Sequence, residues 1–279
     1  MTPITRRTVL KGLVATGVGA ATGTSAYGFL YARHRLEVTR ETIAVSGLPA
    51  ALRGLRIGLL TDIHRSRWVS HDDVRDAVAM VMAERPDLIV LGGDYVTWRD
   101  RQYVGPSAEA LAPLSAPNGV FAILGNHDDD HEMPAALAKN GVQVLKDART
   151  HLVINGEGVD LAGIRYWTRR PADIAAVVRG ASAPVFLLAH DPRRLTEAAA
   201  LNIPLVLSGH THGGQVVLPG LGPIAAQKFP VVAGIGRLQR TAMFVSRGVG
   251  TVYVPVRINC PPEVAVLTLR ADTTAPAGL

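Results

Sequence analysis

Five short blocks, Asp62-Ile63-His64, Gly93-Asp94, Gly125-Asn126-His127-Asp128, Ala189-His190-Asp191 and Gly209-His210-Thr211-His212, each stand at the end of an apolar run. The runs Leu55–Leu60, Leu88–Leu91, Val120–Leu124, Val185–Leu188 and Leu205–Leu207 read as buried strands. Ligands of open α/β sheets bind beyond the carboxyl ends of strands, so all five blocks are expected on one rim. Together they supply carboxylate, imidazole and amide groups in a mixture that suits two metal ions. That makes a dinuclear metal hydrolase the leading expectation.

Between these runs the chain alternates strand and helix signals. Leu36–Val45 alternates apolar and polar residues as an edge or hairpin strand does, and His71–Glu84 has helical spacing that Pro86 stops. Shorter helices are expected over Ser107–Leu114, Asp173–Val178 and Leu195–Leu201. His151–Ile154 and Val159–Ile164 read as a hairpin through Asn155-Gly156, and β and turn signals dominate after Gly213. The expected fold is α/β, a four-layer sandwich of two mixed β-sheets flanked by helices. No linker divides it, so residues 34–270 form one catalytic domain and 271–279 a flexible tail.

The first 33 residues read as an address. Thr5-Arg6-Arg7-Thr8-Val9-Leu10-Lys11 precedes a weakly apolar stretch rich in Gly, Ala and Thr, the pattern of a twin-arginine export signal. Thr24-Ser25-Ala26 offers small residues to a signal peptidase, yet the stretch has the length of a membrane-spanning helix, with Tyr27, Phe29 and Tyr31 placed for an interface. A released periplasmic protein and one anchored to the cytoplasmic membrane both remain open. The expected partners are the twin-arginine export machinery and, through this segment, the membrane.

Three of the six excess positive charges lie in residues 1–32 as Arg6, Arg7 and Lys11. The remainder is too mildly basic for nucleic acid, and no basic stripe with interleaved aromatics occurs. A phosphorylated small molecule or lipid-linked substrate suits the charge. Cys260 is the single cysteine, so the metals are expected on O and N ligands.

Asp62 and His64 alternate on what reads as an extended segment, so both side chains face one way and can grip one ion. Asp94 follows two glycines, and its two oxygens can bridge two ions. Asn126 offers a neutral carbonyl oxygen, while His127 beside it points elsewhere. His210 and His212 again alternate. Taken singly, an Asp-x-His is an ordinary turn and a lone His190 an ordinary core histidine; five such blocks at strand ends are neither.

The blocks, with Gly209-His210-Thr211-His212-Gly213-Gly214-Gln215 the most telling, resemble the calcineurin-like metallophosphoesterases. Arg257-Ile258-Asn259, Pro261-Pro262-Glu263 and the twin-arginine start look like the bacterial envelope branch often labelled "transmembrane protein with metallophosphoesterase domain". Some of its members are described as UDP-2,3-diacylglucosamine hydrolases or general phosphodiesterases. The resemblance implies one ion on Asp62, His64, Asp94 and His212 and a second on Asp94, Asn126, His190 and His210. It also implies that His127 faces the leaving group as its acid, with Asp128 as a partner that orients it. A hydroxide bridging two Mn, Fe or Zn ions would then attack the phosphorus.

The expected function is a dinuclear phosphodiesterase or pyrophosphatase, exported or membrane-anchored. A phosphomonoesterase and a UDP-2,3-diacylglucosamine hydrolase are the enzymatic alternatives, and a metal-binding interaction scaffold the non-enzymatic one. No arginine cluster adjoins the blocks to clamp a dianion, although Arg65, Arg67 and Arg165 could still reach in. Export also separates the chain from cytoplasmic nucleotide-sugar intermediates.

Overall fold

Buried parallel strands read as continuous apolar runs because both faces are covered, and such runs build both sheets here. The structure, a computed structural model, describes residues 6–273. The strands are β1 (Glu37–Val45), β2 (Arg56–Leu60), β3 (Leu88–Leu91), β4 (Val120–Ala122), β5 (Gln143–Val144), β6 (Ala148–Ile154), β7 (Glu157–Ile164), β8 (Val185–Ala189), β9 (Leu205–Ser208), β10 (Val217–Leu218), β11 (Gly222–Pro223), β12 (Gly234–Leu238), β13 (Thr241–Val245) and β14 (Glu263–Ala271). One six-stranded sheet runs β1-β14-β2-β3-β4-β5 and the other β12-β13-β9-β8-β7-β6, with β10 and β11 a separate pair. Both large sheets are mixed: β2, β3, β4 and β5 pair parallel while β14 joins β2 antiparallel, and β7, β8, β9 and β13 pair parallel between antiparallel edges.

Side-chain alternation along each strand then sorts the core into three slabs. Ile57 and Leu59 of β2 meet Phe186, Leu188 and Phe244 between the two sheets. The opposite face of the first sheet, with Leu60, Ile89 and Leu91, packs on α2 (His71–Ala83), α3 (Val104–Leu111) and α4 (Glu132–Ala138). Leu187, Ala189 and Val206 face α5 (Pro171–Val178) and α6 (Leu195–Ala200). Four layers result, as expected. At Gly58 the approach of α2 requires a missing side chain, because a Cβ there would lie 2.7 Å from Val81 Cγ2.

The N-terminal helix α1 (Arg6–Leu30) is 25 residues long, yet no helix of the described residues is long and apolar enough to cross a membrane. Its C-terminal end is seated on the catalytic body. Arg257 N donates to Gly28 O at 3.3 Å, and Phe29 meets Trp68 edge-on at 5.7 Å. At the other terminus β14 continues through Ala271, one residue into the segment expected to be a tail, and residues 274–279 of that tail lie outside the described residues.

Candidate metal centre

The five blocks meet where the carboxyl ends of the two sheets face each other. Gly209 N donates to His190 O at 3.2 Å, and His210 N donates to both carboxylate oxygens of Asp62, at 3.1 and 3.0 Å. A Cβ on Gly209 would collide with the Asp62 carboxylate, and one on Gly125 with the Asp94 carboxylate. Both carboxylates are therefore cradled against bare backbone that any larger residue would fill.

The expected extended geometry of Asp62 and His64 is corrected. Their φ angles are 52° and 48°, and Asp94, His210 and His212 share the left-handed region at 59°, 75° and 52°. Such residues cost roughly 1–3 kcal/mol each and persist where the surroundings fix them. Here the backbone pairing of β2 and β3 continues past the strands: Asp62 N donates to Gly93 O at 2.9 Å and His64 N to Asp94 O at 3.0 Å.

Three groups have donor atoms within 4.8 Å of one another among the described residues: Asp62, His64 and His212; Asp94, His190 and His210; and, spanning the two, His64, Asp94 and His127. His210 and His212, neighbours in sequence, thus face different halves of the site. The His64 and His212 Nε2 atoms lie 3.2 Å apart, and His212 Nε2 is 3.3 Å from Asp62 Oδ1. Asp94 Oδ2 lies 3.1 Å from His190 Nε2 and 3.6 Å from His64 Nε2, so this carboxylate stands between the halves. Asn126 Oδ1 is buried with no hydrogen-bond partner among the described residues. Converging ring nitrogens, a central carboxylate and an orphaned amide oxygen fit divalent cations.

Hydrogen bonds behind the ligands fix ring orientation, as at metal sites generally. His190 Nδ1 donates to Gly92 O at 2.7 Å, which frees Nε2 for the site. His64 Nδ1 pairs with Thr97 Oγ1 at 3.0 Å. Burial pushes the His64 and His210 imidazoles down to about 3, with nearby His190 adding to the effect, and drives His212 well below its ordinary value. These rings are neutral and ready to donate a lone pair. Burial opposes the charge on His190, but Asp94 and Asp62 hold its proton and raise it to about 10.

That proton has to leave when an ion takes its place. A group with a raised pKa keeps its proton below that value, so metal uptake releases one proton and weakens as pH falls. Apparent affinity is expected to rise about tenfold per pH unit between pH 7 and 9, above the Asp62 carboxyl, which burial raises to about 6, and below His190. Calorimetry in buffers of different ionisation enthalpy checks it, and uptake with no proton released would contradict it.

His127 is also brought to the centre, its ring 4.9 Å from that of His64 and within ligand reach of Asp94. Trp98 N donates to His127 Nδ1 at 3.0 Å, which places the ring hydrogen on Nε2. Asp128 does not orient it, a second correction. Its carboxylate accepts from Asp94 N and Tyr95 N, both at 2.7 Å, and from Gly125 N at 2.9 Å. Asp128 is a clamp that ties the Asp94 turn to the Gly125 turn. Of the arginines, Arg65 is spent on Ser66 O and Val69 O, and Arg165 on Asp147.

The chain's own profile decides the family. The sequence profile of the calcineurin-like phosphoesterases matches residues 55–214. The chain belongs to this family. Its members hydrolyse phosphate esters and normally bind divalent metals, and this chain is accordingly a metallophosphoesterase. It is 32% identical to the uncharacterized metallophosphoesterase YkuE of Bacillus subtilis, over 97% of this chain and 99% of that one. It is 31% identical to the phosphodiesterase YaeI of Escherichia coli, over 95% and 99%. A transmembrane protein with metallophosphoesterase domain from Danio rerio is 32% identical over 95% of this chain but only 63% of its own length.

Arg257, read in the sequence only as a mark of resemblance, proves to organise this metallophosphoesterase site from behind. Its guanidinium is fully buried and donates to five carbonyls: His212, Cys260, Arg247, Gly248 and Gly250, at 2.6–3.4 Å. Gly248 and Gly250 in turn pack directly on Asp62 and Ile63. One cation therefore fastens the backbone of His212 and the wall behind Asp62. A charged residue between an apolar run and a Pro-Pro pair was the available signal.

Proposed function

We propose that this chain is a two-metal phosphodiesterase working outside the cytoplasmic membrane. The reading is carried by one observation: the groups Asp62-His64-His212 and Asp94-His190-His210 meet at Asp94, whose Oδ2 faces both His64 and His190, beside a histidine whose free nitrogen bears hydrogen. Asp62, His64, Asp94 and His212 would hold one ion, and Asp94, Asn126, His190 and His210 the other. Bound there, the ions supply positive charge for the phosphate oxygens and acidify water.

The protein's own part is positioning. Asp94 spaces the two halves, Gly92 O holds the His190 ring in line, and His127 Nε2–H points a hydrogen bond at the departing oxygen. Because Nδ1 already accepts from Trp98 N–H, the ring works as a neutral donor, and burial favours that form by lowering its pKa. The diester preference draws support from the phosphodiesterase among the relatives and from the engagement of Arg65 and Arg165 elsewhere. Metal-reconstituted protein is expected to give higher kcat/KM on bis-p-nitrophenyl phosphate than on p-nitrophenyl phosphate; marked preference for the monoester would overturn the diester reading.

The leader supports export through Arg6 and Arg7. A C-terminal reporter that functions only outside the cytoplasm should be active on the native chain and silent when both arginines become lysine. Reporter activity that survives this double change would remove the twin-arginine route.

A further inference from the structure

A cavity of about 480 Å³ opens beside His127, with Arg67, Trp68, Trp98, Tyr103 and Tyr253 among its walls. Trp98 meets the His127 ring at 4.6 Å and the Tyr253 ring at 5.3 Å, both edge-on. The chain nevertheless leaves these rings uncovered, Trp98 at 64% and Tyr253 at 75% exposure. Both residues also have left-handed backbone, at φ 54° and 61°, a conformation bulky side chains rarely adopt. Arg99 N donates to His127 O at 2.8 Å, so the loop carrying Trp98 is pinned to the catalytic turn by backbone as well as ring.

We propose that this cavity is the leaving-group subsite and that it takes a ring-bearing alcohol, laid against the aromatic wall to which Trp98, Tyr253 and Trp68 contribute. The proposal rests on the phosphodiesterase reading. The His127 ring touches His64 of the ligand groups at 4.9 Å and Trp98 of the cavity wall at 4.6 Å, so the ester oxygen that receives its hydrogen bond is assigned to the group lying against Trp98. Aromatic walls supply faces for a flat ring at 4.5–7 Å. Ser66, Thr97, Asp100 and Thr251 supply polar edges, which suit the hydroxyls or ring nitrogens of a hexose or nucleoside. An acyl chain would instead require a groove free of such groups. Arg67, stacked on Trp68 at 4.6 Å, adds positive charge on the same wall.

Four methyl phosphodiesters of primary alcohols test it, with adenosine (through its 5′ oxygen), glucose (through its 6 oxygen), octanol or ethanol as the second alcohol. Their oxygens are of similar basicity, so differences report the subsite and not intrinsic reactivity. One or both ring esters are expected to be cleaved in preference to the octyl and ethyl esters, releasing the ring alcohol and methyl phosphate. The adenosine and glucose arms distinguish the two sources of a ring. In Trp98→Ala and Tyr253→Ala the ratio of ring-ester to ethyl-ester kcat/KM should fall about 10–100-fold, and Trp98→Phe should restore most of it. Preference for the octyl ester, or release of methanol from the ring esters, would overturn the proposal. In a Trp167→Phe protein the remaining tryptophans, Trp68 and Trp98, both line the cavity, so ring-ester binding is read by fluorescence. Quenching without turnover of any diester would sink the enzymatic reading alone, whereas no quenching by either ring ester would sink the subsite.

Discussion

Asp94→Asn is expected to leave a folded protein that no longer retains both metals and has lost at least about 10⁴-fold in kcat/KM. The fold should survive because the backbone contact of Asp94 needs only one acceptor. Its Oδ1 accepts from His127 N at 2.8 Å, and an amide oxygen can do the same. Gly125, pressed against this side chain, leaves room for an isostere and nothing larger. The loss falls instead on the shared position. Asp94 Oδ2 is the atom that faces both His190 and His64, and a neutral amide cannot serve two cations there. Each ion is worth several kcal/mol of charge stabilisation in such chemistry, and each 1.36 kcal/mol is tenfold in rate. Metal content by mass spectrometry, read with steady-state kinetics, checks both halves. Two ions per chain together with activity within tenfold of the native protein would refute the bridging position.

The positions of the ligand groups were legible because buried parallel strands leave an unambiguous trace, a short apolar run that stops abruptly. Leu88–Leu91 falls on the same residues in sequence and structure. The conformation of the blocks was not legible. Asp62 and His64 look like alternating strand residues, yet both are left-handed, and what permits this is pairing with Gly93 and Asp94 about thirty residues away. Asp128 misled for a related reason: sequence adjacency to His127 suggested a partner, whereas the turn aims its carboxylate at four backbone amides. β12 (Gly-Ile-Gly-Arg-Leu) carries no strand pattern of its own and exists as an edge partner of β13. Trp98 and Tyr253 sit in loops, where no periodicity singles them out. Large aromatics in loops of a chain poor in aromatic residues were the signal that remained.

His127→Ala should keep both ions and lower kcat about 10²–10³-fold on alkyl diesters, the range for one lost donor to a developing oxyanion. The proton on Nε2 follows from the bond to Nδ1: a backbone amide can only donate, so Nδ1 accepts, and the hydrogen must sit on the other nitrogen. An imidazolium would carry a hydrogen at Nδ1 as well, directed at the Trp98 amide. The working form is therefore the neutral ring, and burial stabilises it by lowering the pKa below its ordinary value. The sign of the pH dependence follows. A full acid loses activity as pH rises through its pKa, whereas a neutral donor gains it there and keeps it. Activity attributable to His127 should persist from pH 7 to 9, as the difference between native and variant profiles reports. The penalty should also shrink when the leaving group is p-nitrophenolate, which departs as an anion without help. An equal penalty on both leaving groups would remove His127 from the departing oxygen, and an alkaline limb that vanishes in His127→Ala would show instead that the ring delivers a proton. Loss of an ion in the same variant would place His127 among the ligands, where its nearness to His64 and Asp94 gives it geometric access.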